Sequence, residues 1–243
     1  ATQPQCRTCH MIHVNNDTTD YQLRTTDPVE LWISGVTVDY GKGNLCSNCH
    51  QPRVPNPLPE PGGGDISITS PYWGIHHGPQ SALVAGTSAY EFSGESYAST
   101  NAHYTQPPID SEGCTQCHMS TGYGQQSGGH TMKMAFDDHG SVAYNTNGCL
   151  DCHSEGIEDD IEESQGIITA KLETLKGLLV TEGVLTETGG INVNFGGSLD
   201  LTADMGGALL NYKLVEEDRS AGIHNPAYIN DVLDASITYL QSN

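Results

Sequence analysis

The sequence predicts irregular loops and short α-helices packed around something other than an apolar core, followed by a small, mainly helical C-terminal part. Three observations predict this. All eight cysteines fall in four copies of one five-residue pattern, C-x-x-C-H. The first two-thirds of the chain is polar and punctuated by Gly and Pro. Beyond residue 156 apolar residues return at helical spacing.

Of 243 residues only 36% are hydrophobic and three are Phe, against 28 Gly and 12 Pro. Such a composition leaves residues 1–156 short of the apolar surface a conventional core needs. Between the motifs run loops such as "QPRVPNPLPEPGGGD" at 51–65. Their Pro and Gly content excludes long helices and strands. Residues 1–156 are therefore expected to form one domain with short helical turns, and residues 157–243 a helical region packed on it.

The repeated pattern says what fills the first domain. It reads "CRTCH" at 6–10, "CSNCH" at 46–50, "CTQCH" at 114–118 and "CLDCH" at 149–153, and no cysteine is left over. C-x-x-C-H is the attachment pattern of c-type haem: two thiols form thioethers to the porphyrin and the next histidine ligates iron from one face. The attachment residues are then Cys6, Cys9, Cys46, Cys49, Cys114, Cys117, Cys149 and Cys152, and the iron ligands His10, His50, His118 and His153. Disulfides, zinc ribbons and thioredoxin-like sites also use C-x-x-C, but none requires a histidine directly after every pair. The motifs start 40, 68 and 35 residues apart, too irregular for a repeat architecture. Four covalent haems are expected to act as the core of the domain.

After the last motif, Ile161, Ile168, Leu172, Leu175 and Leu179 recur among Glu and Lys, which predicts an amphipathic helix over 158–185. The stretch "GGINVNFGGSLDLT" at 189–202 alternates between glycine pairs and predicts a short β-hairpin. Residues 203–215 are expected to be helical. Another helix is expected over 226–241, with Asn225 as cap and Pro226 at its first position.

Whether an iron has one or two protein ligands decides between chemistry at an open position and simple electron transfer. Of 11 histidines, four sit in the motifs, leaving His13, His76, His77, His103, His130, His139 and His224. The candidates for second ligands are His13, His76, His77, His103 and His130. His76 and His77 are adjacent in a glycine-punctuated loop, where an extended backbone would aim them to opposite sides. His139, beside two aspartates, reads as a surface group, and His224 is left open. Met119 follows "CTQCH" directly and cannot reach the far face of the same porphyrin. The five methionines are expected to pack on the cofactors. Histidine on both faces implies low potentials.

His13 lies three residues after the first motif. A motif's own segment cannot turn back so soon to the opposite face of its haem. His13 therefore serves another haem, in this chain or another copy, or none.

The formal charge of −21, from 30 acidic and nine basic residues, argues against nucleic acid and anionic membranes as partners. No apolar run is long enough for a membrane span. The chain begins at Ala1, as a mature exported protein would, and covalent haem attachment takes place outside the cytoplasm. An extracellular or cell-surface location follows as the expectation. The sequon "NDT" at Asn16 would permit glycosylation.

Together the motifs resemble the extracytoplasmic multihaem c-type cytochromes. The resemblance rests on "HHGPQSALVAGTSAYEF", "GCTQCHM", "GGHTMKMAF" and "EEDRSAGIHNPAY" in this order, covering about residues 1–153 and 211–240. The fold class expected is thus a multihaem cytochrome c, and the implied activity is electron transfer. The opening "CRTCHMIH" looks like the amino terminus of the filament-forming cytochromes, in which the histidine three places after the motif ligates a haem of the next subunit. Carried over, His13 would ligate the neighbour's terminal haem, that of His153, in a head-to-tail homopolymer. Other redox proteins or extracellular acceptors would complete the chain of partners. Two rivals stand beside this reading: a monomeric periplasmic electron shuttle with the same haems, and an oxidoreductase of the nitrite or hydroxylamine type. The latter needs an open iron, often signalled by Lys in place of a motif His, which is absent here.

Overall fold

Short turns carry the cysteine motifs, and long helices come only at the end of the chain. The computed structural model describes residues 4–194 and 196–242. In chain order the helices are α1 (Cys6–Cys9), α2 (Asn44–Ser47), α3 (Gln80–Val84), α4 (Ala102–Thr105), α5 (Ile109–Glu112), α6 (Cys114–His118), α7 (Ile157–Thr181), α8 (Ala203–Asp218) and α9 (Pro226–Ser242). The strands are β1 (Val29–Glu30), β2 (Thr37–Val38), β3 (Ile66–Ile68), β4 (Ala135–Asp138), β5 (Ser141–Tyr144) and β6 (Leu199–Leu201). Among the described residues no helix is long and apolar enough to cross a membrane.

The chain divides into two compact units. The first holds the residues up to Glu30, Val36–Cys49 and Tyr104–Glu158; the second holds Leu31–Gly35, His50–His103 and the chain from Asp159 onward. This differs from the expected division at 156. Residues 50–103 belong with the C-terminal helices because Ile68, Trp73, Ile75, Leu83, Tyr90 and Phe92 share one core with α7, α8 and α9. Those side chains are spread thinly between Gly and Pro, so their average composition conceals a core contribution.

In the second unit, α7 buries Ile168, Leu175 and Leu179 completely, the stripe expected from their spacing. Each contributes about 2 kcal/mol by burial. The helix stops at Thr181, short of 185. Thr202 caps α8 by accepting from the Met205 N–H at 3.2 Å. Asn225 caps α9, its Oδ1 accepting from the Tyr228 N–H at 3.3 Å. Buried Asn211 ties the unit together: it accepts from the Tyr90 N–H at 2.7 Å and donates to the Tyr90 carbonyl at 2.8 Å and the Ser236 hydroxyl at 3.0 Å.

The hairpin expected over 189–202 does not form among the described residues. Its one strand, β6, pairs antiparallel with distant β3, Ile66 opposite Leu201. Leu201 and Ile68 are buried there, an apolar gain that a local hairpin would not give. A hairpin forms instead in the first unit, β4 with β5. Its two turn residues, His139 and Gly140, both have positive φ, +55° and +93°, as a two-residue hairpin turn demands. His-Gly is a weaker signal than Asn-Gly, and the sequence reading missed it.

The first unit is held by polar knots. Buried Asn44 donates to the Thr26 carbonyl at 2.9 Å and Asp39 at 2.7 Å, and accepts from the Tyr40 N–H at 2.7 Å. Val29, Val38, Tyr40 and Ile157 are its buried apolar side chains among the described residues.

Candidate functional site

None of the eight cysteines is paired in a disulfide. The first three motifs use short helices: Cys6 and Cys9 bound α1, Cys46 lies on α2, and Cys114, Cys117 and His118 form α6. One helical turn between i and i+3 brings the two cysteines of a motif to one face. The fourth motif lies in a turn, with the Cys152 and His153 N–H groups both bonded to the Cys149 carbonyl.

In the first unit the thiols follow one another in chain order. Burial raises the Cys9 thiol above its ordinary pKa, and nearby Cys46 and Cys49 add to the shift. Cys114 donates to the Cys46 sulfur, which brings Cys46 down to about 7 and pushes Cys114 up. Burial, with Cys149 and Cys152 in range, pushes Cys117 up to about 11. The first motif thus neighbours the second, the second the third, and the third the fourth. Two glycines permit the approach. A Cβ on Gly43 would lie 2.8 Å from the Cys114 nitrogen, and one on Gly148 2.3 Å from the Gln116 carbonyl oxygen and 2.9 Å from the Cys117 Cα.

Motif histidines have an oxygen at Nδ1: His10 the Tyr21 carbonyl at 2.7 Å, His118 the Met132 carbonyl at 3.0 Å, and His50 the Gln80 Oε1 at 2.9 Å. A carbonyl only accepts, so the proton sits on Nδ1 and a neutral ring carries its lone pair on Nε2, the arrangement an iron ligand needs. Gln80 is oriented in turn by donating to the Glu217 and Asp218 carbonyls at 3.4 and 3.1 Å. His153 is exposed at the end of its turn.

His130 lies on a 3₁₀ turn, Gly129–Thr131, and its ring centroid is 6.2 Å from that of His10. Two imidazoles on opposite sides of one metal, each about 2 Å from it, have centroids on the order of 6 Å apart. Beside His130 opens a cleft of about 590 Å³ lined by Gly122, Gly124, Gln125, Gly128, Gly129 and Thr131. Gly124 and Gly129 face open space there, whereas Gly122 and Gly128 are packed against neighbouring backbone.

The other candidates divide by which ring nitrogen is engaged. His103 donates from Nδ1 to the Ile223 carbonyl at 2.8 Å, and His224 from Nδ1 to Asp218 Oδ1 at 2.6 Å. The Asp218 side chain is fully buried and also accepts from the Ser220 hydroxyl. His224, left open by the sequence, therefore has a ligand's tautomer. The neighbours His76 and His77 do not sit on an extended backbone, since His77 has φ +61°. His77 approaches Glu217 through Nδ1 at 3.2 Å, whereas His76 uses Nε2 on the Tyr72 carbonyl. Only His77 of the pair matches the pattern. His139 is exposed at the β4–β5 turn, 3.8 Å from Asp138.

His13 is exposed, with φ +60°. Its loop closes on Asp20, whose carboxylate accepts the backbone N–H groups of His13, Val14, Asn15 and Asn16 at 2.9, 3.1, 2.7 and 3.1 Å. These bonds, that of Asn15 first, hold the Asp20 carboxyl below its usual range.

The donors present fit c-type haem: thiols in pairs, a histidine beside each pair, and ring tautomers set for Nε2 ligation. The partners that set those tautomers escaped the sequence reading. Asp218, a carboxylate six residues before a histidine, and Gln80, three after His77, left a faint signal. The carbonyls of Tyr21, Met132 and Ile223 left none, because every residue has one. No protein-family model matches this chain, and neither the curated proteins nor the solved structures give a match.

Proposed function

We propose that this chain is an exported electron-transfer protein with four covalent haems and histidine on both faces of the irons, its copies joined head-to-tail into a filament through His13. The observation that carries the haem reading is the His10–His130 pair. Its rings are 6.2 Å apart, His10 directly follows a thiol pair, and the Tyr21 carbonyl leaves the Nε2 lone pair of His10 for the metal.

Haem would supply one-electron chemistry, iron alternating between ferric and ferrous without a change of ligands. The chain's residues prepare that chemistry. Each thiol pair would hold one haem, and the sequential order of the pairs favours closely spaced cofactors. Oxygen acceptors at Nδ1 make the imidazoles better donors, which stabilises the more positive oxidised centre and lowers potentials. The excess of 30 acidic over nine basic residues acts the same way. His130 would hold the iron together with His10. His77, His103 and His224 are the remaining internal candidates.

The test begins with mass spectrometry of protein from a host competent in cytochrome maturation, where four added haems are expected and none would end the reading. His130→Ala should turn one iron high-spin and open to carbon monoxide, the others staying low-spin. His13→Ala should keep all four haems and lose filaments by electron microscopy. A wild-type particle of single-chain size would leave a monomeric shuttle in place of the filament.

A further inference from the structure

The inference concerns the loop that follows the first motif and rests on the reading of His13 as a ligand between copies. Residues 11–22 are stitched to the motif helix along their length. The His10 ring bonds the Tyr21 carbonyl at 2.7 Å, the Met11 N–H the Gln22 carbonyl at 3.1 Å, and the Arg24 N–H the Cys9 carbonyl at 2.9 Å. Between these anchors the chain makes a turn it would not choose locally. His13 and Asn16 both have left-handed φ, +60° and +57°, a conformation that side-chain-bearing residues rarely adopt without something to hold them there.

What imposes the turn is one side chain. Asp20 is buried to 7% exposure and stands on a 3₁₀ turn, Thr18–Tyr21, that Asp17 caps by accepting from the Thr19 N–H at 2.8 Å. From there its two oxygens take four consecutive N–H groups, those of residues 13 to 16. Hydrogen bonds to an ionised acceptor are the strong kind, and four on one carboxylate fix the backbone that carries His13. Val14 and Tyr21, exposed to 56% and 71%, give the loop an apolar border.

We propose that Asp20 is the positioning residue that makes residues 11–22 a docking loop for a second copy of this chain. The occupant follows from the order of the thiols. The first motif begins that series and the fourth ends it, with Leu150, Cys152 and His153 exposed there. A loop at one end and a receptor at the other make a heterologous contact, which propagates when it does not close into a ring. Asp20 contributes by pre-organisation: His13 arrives with its backbone already ordered, so association does not bear that entropy.

The experiment compares Asp20→Ala and Asp20→Asn with His13→Ala in the full haem-loaded chain. Asparagine keeps the shape but sets an NH₂ against N–H donors. Haem content by mass should be unchanged in all three. In both Asp20 variants filament yield at fixed protein concentration should fall about tenfold or more. One iron should become high-spin and carbon monoxide-binding, as in His13→Ala. Added imidazole should return that iron to low spin without restoring filaments. Wild-type filament yield in both Asp20 variants overturns the proposal, and so does loss of haem from both, which would make Asp20 a residue of the motif fold. Filaments surviving His13→Ala would instead sink the reading beneath it.

Discussion

The two units of this chain are built on opposite principles. The second has a conventional core, in which Ile168, Leu175, Leu179, Leu209, Leu210, Ile229, Val232 and Leu233 are almost wholly buried between three long helices. The first contains all eight cysteines, and what it buries is largely polar, Asp20, Asn44, Ser47, Ser127 and Asn145 among them. Polar knots such as those of Asp20 and Asn44, whose hydrogen bonds are made, give specificity but little net stability, since each hydrogen bond replaces one to water. Burial of apolar surface is the dominant favourable term in folding, and in the first unit the chain alone supplies little of it. The contrast teaches that the helical unit holds a core of its own, whereas the motif-bearing unit buries little apolar surface, so under the proposed function it is the unit that would depend on haem.

The sharpest way to break that contrast is to withhold haem. In protein made without cytochrome maturation, amides of residues 104–158 should exchange at once while α8 and α9 stay protected, as hydrogen-exchange mass spectrometry would show. Protection of both units would erase the difference. A smaller effect probes the helical unit. Asn211→Leu strands the buried N–H and carbonyl of Tyr90 and should cost about 3 kcal/mol. Thermal melts should show a loss on the order of 10 °C, with haem content unchanged. The smallest effect tests whether the helical unit also serves the cofactors. Asp218→Asn replaces a charge-assisted bond to His224 by a neutral one, a change of about 1 kcal/mol. One midpoint potential should rise by roughly 50 mV in voltammetry, and four unmoved potentials would remove His224 from the ligands.

Much of the helical unit was legible in the sequence. The stripe through Ile168, Leu175 and Leu179 gave α7, and Asn225 stands as the expected cap of α9, where a short polar side chain can serve N–H groups left over at a helix start. The Thr202 cap of α8 emerged only in the structure. The misses came from contacts distant in sequence. Residues 189–202 alternate like a hairpin, but β6 gains more burial against β3 than against its own neighbours, and periodicity is blind to that choice. Residues 50–103 looked like loop because Trp73, Leu83 and Tyr90 are isolated in the chain and meet only in space. At the candidate site the residue types were readable and their states were not. His76 and His77 are alike in sequence, yet one engages Nε2 and the other Nδ1, a difference set by the Tyr72 carbonyl and the Glu217 side chain.

By itself the sequence determined which atoms are available: eight thiols in four pairs, a histidine after each, seven more histidines, and helix signals confined to the end. Local chemistry sets these, because a motif and a helical stripe are properties of neighbouring residues. Only the tertiary structure decided that the His130 ring lies 6.2 Å from that of His10, that the thiols form a series in chain order, that Asp218 holds His224, and that one carboxylate at Asp20 folds the loop presenting His13. Each of these depends on which groups find an acceptor or a close approach after the chain has packed, and no spacing along the chain encodes that.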